Sequence, residues 1–408
     1  MEDIIMTEKN LIPLLRFPKF VRDAEWICTT LRAEMDYENG VAHENDIDSL
    51  GKFIVVNSKF ISTEGQIEKR SNNAHCLAEE NDILMVLSDL PNGKAIAKCF
   101  YVDASNKYTV NQRICKLRSK GANSKLLYYL LNRNPYFLSF DDGVKQTNLK
   151  KDEVLSCPLI IPKSIEEQQK IAECLSSIDS YISSINEKVE QLKAHKKSLL
   201  QKLFPQRGQT VPDYRFSEFK ELGMWTEKTL GDIGDVCMCK RIMKNETNIN
   251  YSIPFYKIGT FGQKADSYIT EERFNEYKAK YSYPQKGDIL FSAAGTIGRY
   301  VEFDGEPAYF QDSNIVWIAN NETLVCNKFL KYLYSKVQWN IYDGGVVKRL
   351  YNDSIKKTSI HIPSMPEQRK IAGCLSSIDE AITLYSEKVS LIEQHKKGLM
   401  QQLFPTPK

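Results

Sequence analysis

One stretch of this chain occurs twice, and that duplication constrains the fold more than any other feature. Residues 167–205 read EQQKIAECLSSIDSYISSINEKVEQLKAHKKSLLQKLFP, and residues 367–405 read EQRKIAGCLSSIDEAITLYSEKVSLIEQHKKGLMQQLFP. By direct count, 23 of the 39 aligned positions are identical. In the first copy the apolar residues Ile171, Leu175, Ile178, Ile182, Ile185, Val189, Leu192, Leu199 and Leu203 alternate steps of four and three, with Lys196 in one core slot. The second copy keeps the pattern, with Lys396 in the same slot. This heptad seam predicts a long helix in each copy. A helix of about 35 residues is about 52 Å long. Alone, its seam would stay in water. Two such helices can bury each other's seams at roughly 1.5 to 3 kcal/mol per large side chain, before entropy. An antiparallel pair within the chain is the expectation. Packing of each helix on its own module, or dimerisation of the pair, remain alternatives.

The repeat is wider than the helices. Arg16-Phe17, Phe20, Trp26 and Leu31 recur as Arg215-Phe216, Phe219, Trp225 and Leu230. Asn81-Asp82-Ile83-Leu84 is answered by Gly287-Asp288-Ile289-Leu290, Asp142-Gly143 by Asp343-Gly344, and Ile161-Pro162 by Ile362-Pro363. The chain therefore reads as two tandem units: a module over 1–163 with a helix over 164–205, then a module over 206–363 with a helix over 364–408. The fold class expected is α+β, with a mixed sheet in each module. In the first module, residues 53–56, 82–87, 95–102, 110–117 and 159–161 read as strands and 126–131 as helix. In the second, 255–258, 288–292, 298–303, 315–318 and 359–362 read as strands and 327–336 as helix. Ser164 with Glu167, and Ser364 with Glu367, spell capping boxes.

A formal net charge of only +3 gives no global field, so any surface for nucleic acid is local. The ten cysteines are scattered without a CxxC pair, which argues against a disulfide framework or a zinc site. The opening MEDIIMTEKN is unlike a signal peptide, and no apolar run is long enough to span a bilayer. A cytoplasmic chain without a membrane partner is expected.

No stretch of the sequence carries a complete catalytic motif. Asn134-Pro135-Tyr136-Phe137 resembles the amino-methyltransferase loop that holds a flipped adenine. It lacks the second proline, and no FxGxG cofactor loop precedes it. Asp213 with Glu218 and Lys220 carries the letters of a metal-dependent nuclease at far too short a spacing. His43, His75 and His361 have no ligand partners at metal-binding spacing.

What remains is a set of polar, basic loops at equivalent places in the two modules. The first follows the Asp-Ile-Leu strand, with Ser88, Asn92, Lys94 and Lys98 in one module and Ser292, Thr296 and Arg299 in the other. The second holds Lys107, Asn111, Gln112 and Arg113, matched by Gln311, Ser313 and Asn314. The third runs over 144–149, with Lys145, Gln146 and Asn148, and is matched here to 347–352, with Lys348 and Arg349. Lys257 adds a cation at a strand end. Lys and Arg hold phosphates, while Gln, Asn and Arg pair with base edges.

With its two EQxKIAxxLSSID…EKV…HKK…LxQxLFP segments, its AGTIGRY turn, and its DGVKQTNL and GGVVKRLY loops, the chain resembles the DNA-specificity subunit of type I restriction-modification systems. The first module departs from that pattern, carrying Pro91-Asn92-Gly93-Lys94 where the second has the AGTIG turn. The resemblance implies two target-recognition domains, each reading half of a split double-stranded DNA site. It implies that the long helices act as spacer and as dock for two methyltransferase subunits, with restriction subunits joining the assembly. It also implies that this chain is non-catalytic and holds no cofactor, the partners carrying S-adenosylmethionine, ATP and Mg²⁺. The rival reading is a coiled-coil adaptor that assembles proteins without reading DNA.

Overall fold

A computed structural model describes residues 11–91, 93–339 and 349–405. The chain divides into two compact units, residues 1–185 with 388–408, and residues 186–387. The division falls inside the two long helices, Ile165–Lys202 and Met365–Leu403. Each unit is thus a globular module plus a segment of both helices.

In the first unit, an antiparallel sheet runs in the order Met35–Asn39, Ile114–Ser119, Ile83–Val86, Cys99–Tyr101. A second, mixed sheet runs Lys69–Ser71, Phe53–Val56, Tyr108–Val110, Leu77–Ala78, its middle pair parallel. Ile83–Val86 is buried on both faces. Successive side chains of a strand point to opposite sides. Ile83 and Met85 accordingly enter one core, and Leu84 and Val86 the other. Ile27–Thr30 pairs with Pro158–Ile161 just ahead of the first long helix.

The second unit repeats this plan. Its antiparallel sheet runs Gly234–Cys237, Ile315–Asn320, Ile289–Ser292, Tyr300–Glu302. Its mixed sheet runs Tyr268–Ile269, Ile253–Tyr256, Tyr309–Phe310, again with one parallel pair. Thr226–Thr229 pairs with Ser359–Ile362. Ile289 and Phe291 enter one core and Leu290 the other.

Within each unit the long-helix segments run antiparallel. In the first, Ile171, Ala172 and Leu175 pack with Leu399, Met400, Leu403 and the module's Trp26 and Leu126. In the second, Ile371, Ala372 and Leu375 pack with Leu199, Leu200, Leu203 and the module's Trp225 and Phe329. Each module is also stapled by buried polar groups. Arg16 donates two bonds of 2.7 Å to the Glu167 carboxylate, and Trp26 Nε1 donates to the same group at 3.3 Å. Arg215 binds Glu367 in the same way, at 2.8 and 2.7 Å. Gln168 accepts from the Asn123 N–H and donates to the Pro162 carbonyl, and Gln368 does the same with Cys326 and Pro363.

These staples correct the capping-box expectation. Ser164 Oγ does accept the Glu167 N–H at 3.3 Å. The Glu167 and Glu367 carboxylates, however, turn to the arginines, where a full positive charge outbids a helix-end amide. Two expected strands also change. The segment 110–117 breaks into Tyr108–Val110 and Ile114–Ser119, because Arg113 lies at φ +69° and passes the chain from one sheet to the other. The segment 95–102 shortens to Cys99–Tyr101, with Ala97 at φ +53°.

One difference between the units has a measurable outcome. Asp82 is buried against Arg118, with bonds of 2.7 and 2.8 Å. At the matching place Asp288 is buried without an arginine, because Ala319 stands where Arg118 does. Burial raises the Asp288 pKa above the ordinary carboxylate value. A raised carboxyl stabilises the fold below its unfolded pKa, and that contribution is lost as pH rises through the folded pKa. Asp288→Asn, which keeps a side-chain oxygen for the Gln285 N–H, should therefore stabilise the chain at neutral pH, with the gain fading in acid. Thermal unfolding of both proteins at neutral pH and near pH 4 checks this.

Candidate nucleic-acid interface

The three sequence-predicted loops of each module meet at one backbone junction. In the first unit the junction is Leu87, one residue past the central strand. Its N–H donates to the Arg113 carbonyl and its carbonyl accepts from Leu149, both at 2.8 Å. In the second unit Ala293 does the same with Asn314 and Leu350, again at 2.8 Å. Beyond the junction, Ser88–Asp89 forms a short ribbon with Thr147–Asn148. Ala294 bridges Arg349 in the second unit.

This hydrogen bonding shifts the expected pairing of the third loop by two residues. Leu149 corresponds to Leu350, so Asn148 corresponds to Arg349. The two leucines are buried, at 5% and 3% exposure, and each leads into a short helix, Lys151–Leu155 or Asn352–Lys356. Burial sets the register here, and the charged letters mislead.

Several candidates serve the scaffold. Ser88 and Ser292 are buried. Ser88 Oγ accepts from Gln146 Nε2 at 2.7 Å. Ser292 Oγ donates to the Thr296 carbonyl and accepts the Arg299 N–H at 3.0 Å, closing the glycine turn. Gln311 Oε1 accepts the Ile258 N–H at 3.0 Å. Lys98 and Arg299 occupy matching places and both reach back to the neighbouring segment, Lys98 to Glu64 at 3.2 Å and Arg299 to the Phe261 carbonyl at 3.1 Å.

Others are held by acids at the surface. Lys107 pairs with Asp103 and Lys257 with Asp266, at 3.2 and 2.8 Å. Gln112 donates to Glu44 at 2.6 Å. Asn111 has a buried Oδ1 with no partner among the described residues.

Lys94, Arg113, Lys145, Gln146, Asn148 and Thr296 remain exposed around the junctions. Ser313, Asn314 and Arg349 are half-buried beside them, with Arg349 Nη2 donating to the Ser313 carbonyl at 3.0 Å. Asn92 and Lys348 lie outside the described residues. The third loop of the first unit is shaped by acids. Asp142 accepts the N–H groups of Val144 and Lys145, which hold its carboxyl below the usual carboxylate range. Asp141 accepts from Thr147 Oγ1 at 3.0 Å.

The arrangement presents amides, hydroxyls and guanidinium groups on a rigid frame, a chemistry suited to phosphates and base edges. Among the described residues no group of three His, Cys, Asp or Glu can hold a metal, and no helix is long and apolar enough to cross a membrane. Asn134 is an N-cap, its side chain accepting the Tyr136 N–H at 2.9 Å.

Comparison with known proteins points one way. The family model described as the type I restriction modification DNA specificity domain matches residues 36–194 and 223–394. A Haemophilus influenzae protein named for a type I restriction enzyme specificity subunit is 40% identical over 322 residues, 78% of this chain and 80% of its own length. The MjaVIII specificity subunit of Methanocaldococcus jannaschii is 25% identical over 354 residues, covering 81% of this chain and 80% of its own. In fold, the chain is similar to the crystal structure of a type I restriction-modification S subunit from M. genitalium. That match has a TM-score of 0.62 at 16% identity, covering 97% of this chain and 100% of the other.

Proposed function

Since the chain belongs to the type I restriction-modification DNA specificity family, we propose that each module reads one half of a bipartite duplex site through the major groove. The chain is a specificity subunit and not the catalytic member of its enzyme. The observation that carries the reading is the repeated junction. Leu87 and Ala293 gather the same three loops with the same backbone bonds, while the exposed side chains differ. Equal frames with unequal side chains suit a split site whose halves have different sequences.

The long helices supply the spacer and a dock for two methyltransferase subunits, restriction subunits joining that assembly. A 38-residue helix is about 57 Å long, more than one DNA turn of about 34 Å. S-adenosylmethionine, ATP and Mg²⁺ belong to those partners in this reading.

The test is Arg349→Ala in the assembled enzyme, followed by duplex binding at several salt concentrations and by methylation mapping. A phosphate contact weakens binding to all sequences and lowers the salt slope by about one unit. A base contact instead relaxes one position in one half-site, at about 1 to 3 kcal/mol. Wild-type enzyme lacking salt-dependent duplex binding would favour the adaptor reading.

A further inference from the structure

We propose that two three-way polar nodes fix how each module sits on the long helices, and that these nodes thereby set the spacer-length selectivity of the enzyme. The inference rests on the DNA-reading function proposed above. It concerns residues outside the reading loops.

In the second unit the node joins Lys196 of the first long helix, Asp379 of the second, and Tyr332 of the module helix Asn327–Leu333. Lys196 Nζ donates to Asp379 Oδ1 at 2.5 Å, and Tyr332 Oη donates to Asp379 Oδ2 at 2.8 Å. The Lys196 ammonium also lies 5.4 Å from the centre of the Tyr332 ring. The first unit repeats the node with the two long helices exchanging roles. Lys396 of the second helix donates to Asp179 of the first. Tyr129 of the module helix Ser124–Leu131 donates to Asp179 at 2.7 Å, with Lys396 5.0 Å from its ring centre. Both tyrosines are buried, and both lysines are about four-fifths covered.

A lysine in a heptad seam weakens the seam but can specify its register. Apart from Tyr385, the rest of this seam is Ile, Leu and Val, which pack by shape and carry no directional bonds to resist a slip of one heptad. The nodes would not survive such a slip. Displaced by one heptad, Lys196 would face Ala372 or Ser386, and Lys396 would face Ala172 or Asn186. None of these four positions carries a carboxylate. The tyrosine adds the third tie. Its hydroxyl is satisfied only when the module helix stands at one height along the pair, so helix register and module position are set together. Because each carboxylate uses both oxygens, loss of any member leaves a polar group of the others unpaired.

The experiment uses the complete enzyme with its methyltransferase partners. Duplexes carry the native site or the same half-sites one base pair closer or farther apart, and methylation rates are compared. One variant replaces the second node by apolar groups, Lys196→Met with Asp379→Leu and Tyr332→Phe. Apolar replacements of buried charge clusters are often neutral or stabilising. This variant should melt no lower than wild type, yet its preference for the native spacer should fall about tenfold. A merely structural role would change melting and leave spacer preference alone. If the triple variant fails to assemble, Tyr332→Phe carries the test, since it keeps the ring and removes only the tie. A fixed wild-type spacer with unchanged preference in the variant overturns this inference alone. A wild-type enzyme that reads both half-sites at any spacing also overturns this inference alone, whereas one that methylates without regard to sequence overturns the DNA-reading proposal and this inference with it.

Discussion

Exchanging residues 11–160 for the corresponding module of another specificity subunit is expected to change one half of the methylated sequence and leave the other half intact. The reason lies in how the module is attached. Arg16, Trp26, Asn123 and Tyr129 are its anchors to the first long helix, meeting Glu167, Gln168 and Asp179. The second module offers the equivalents Arg215, Cys326 and Tyr332 to Glu367, Gln368 and Asp379. The attachment is the same in both units although the modules between the anchors have diverged. A graft that keeps these anchors keeps the seat and brings in new loops at Leu87. Methylome sequencing of a host expressing the chimaera with its partner subunits reads both halves at once. Alteration of both halves would sink the assignment of one module to one half-site.

The second large effect concerns stability. Glu167→Ala should destabilise the chain by about 3 to 5 kcal/mol, because it strands Arg16 in a site where that side chain is only 7% exposed. Glu367→Ala should behave similarly toward Arg215, at 8% exposure. The first loss should be the larger of the two. Trp26 Nε1 shares the Glu167 carboxylate, whereas Trp225 Nε1 has no partner to lose among the described residues. Urea unfolding of the two variants tests both the size and the order. A loss under about 1 kcal/mol for Glu167→Ala would show that the pair is not an anchor.

The sequence made the long helices and the tandem plan readable because both rest on periodicity. An apolar seam at heptad spacing has few other interpretations, and the Asp-Ile-Leu strands carry apolar side chains for two cores. The residues that organise the nodes were visible but silent. Asp179 and Asp379 sit in the shared LSSID run, and Lys196 and Lys396 stood out in core slots, yet nothing local names their partners. Left-handed backbone was equally hidden, since Arg113 and Ala97 carry ordinary side chains where glycine would have signalled a turn. In the third loop the matching of lysine with lysine gave a register that two buried leucines overrule. Ser88 and Ser292 have hydroxyls suited to a base edge or a phosphate, but both are buried in the frame.

The division of the chain also bears on its synthesis. The first unit includes residues 388–408, and its core needs Leu399 and Leu403 against Trp26 and Ile171. A ribosome adding about 5 to 20 residues per second takes roughly 10 to 40 s to travel from the first helix segment to the last. Through that interval the nascent first module holds an unfilled apolar notch. The second unit closes sooner, because both its helix segments flank its own module. Assembly in the cell should therefore run from the middle of the chain outward, with the earliest-made portion the last to become protease-resistant.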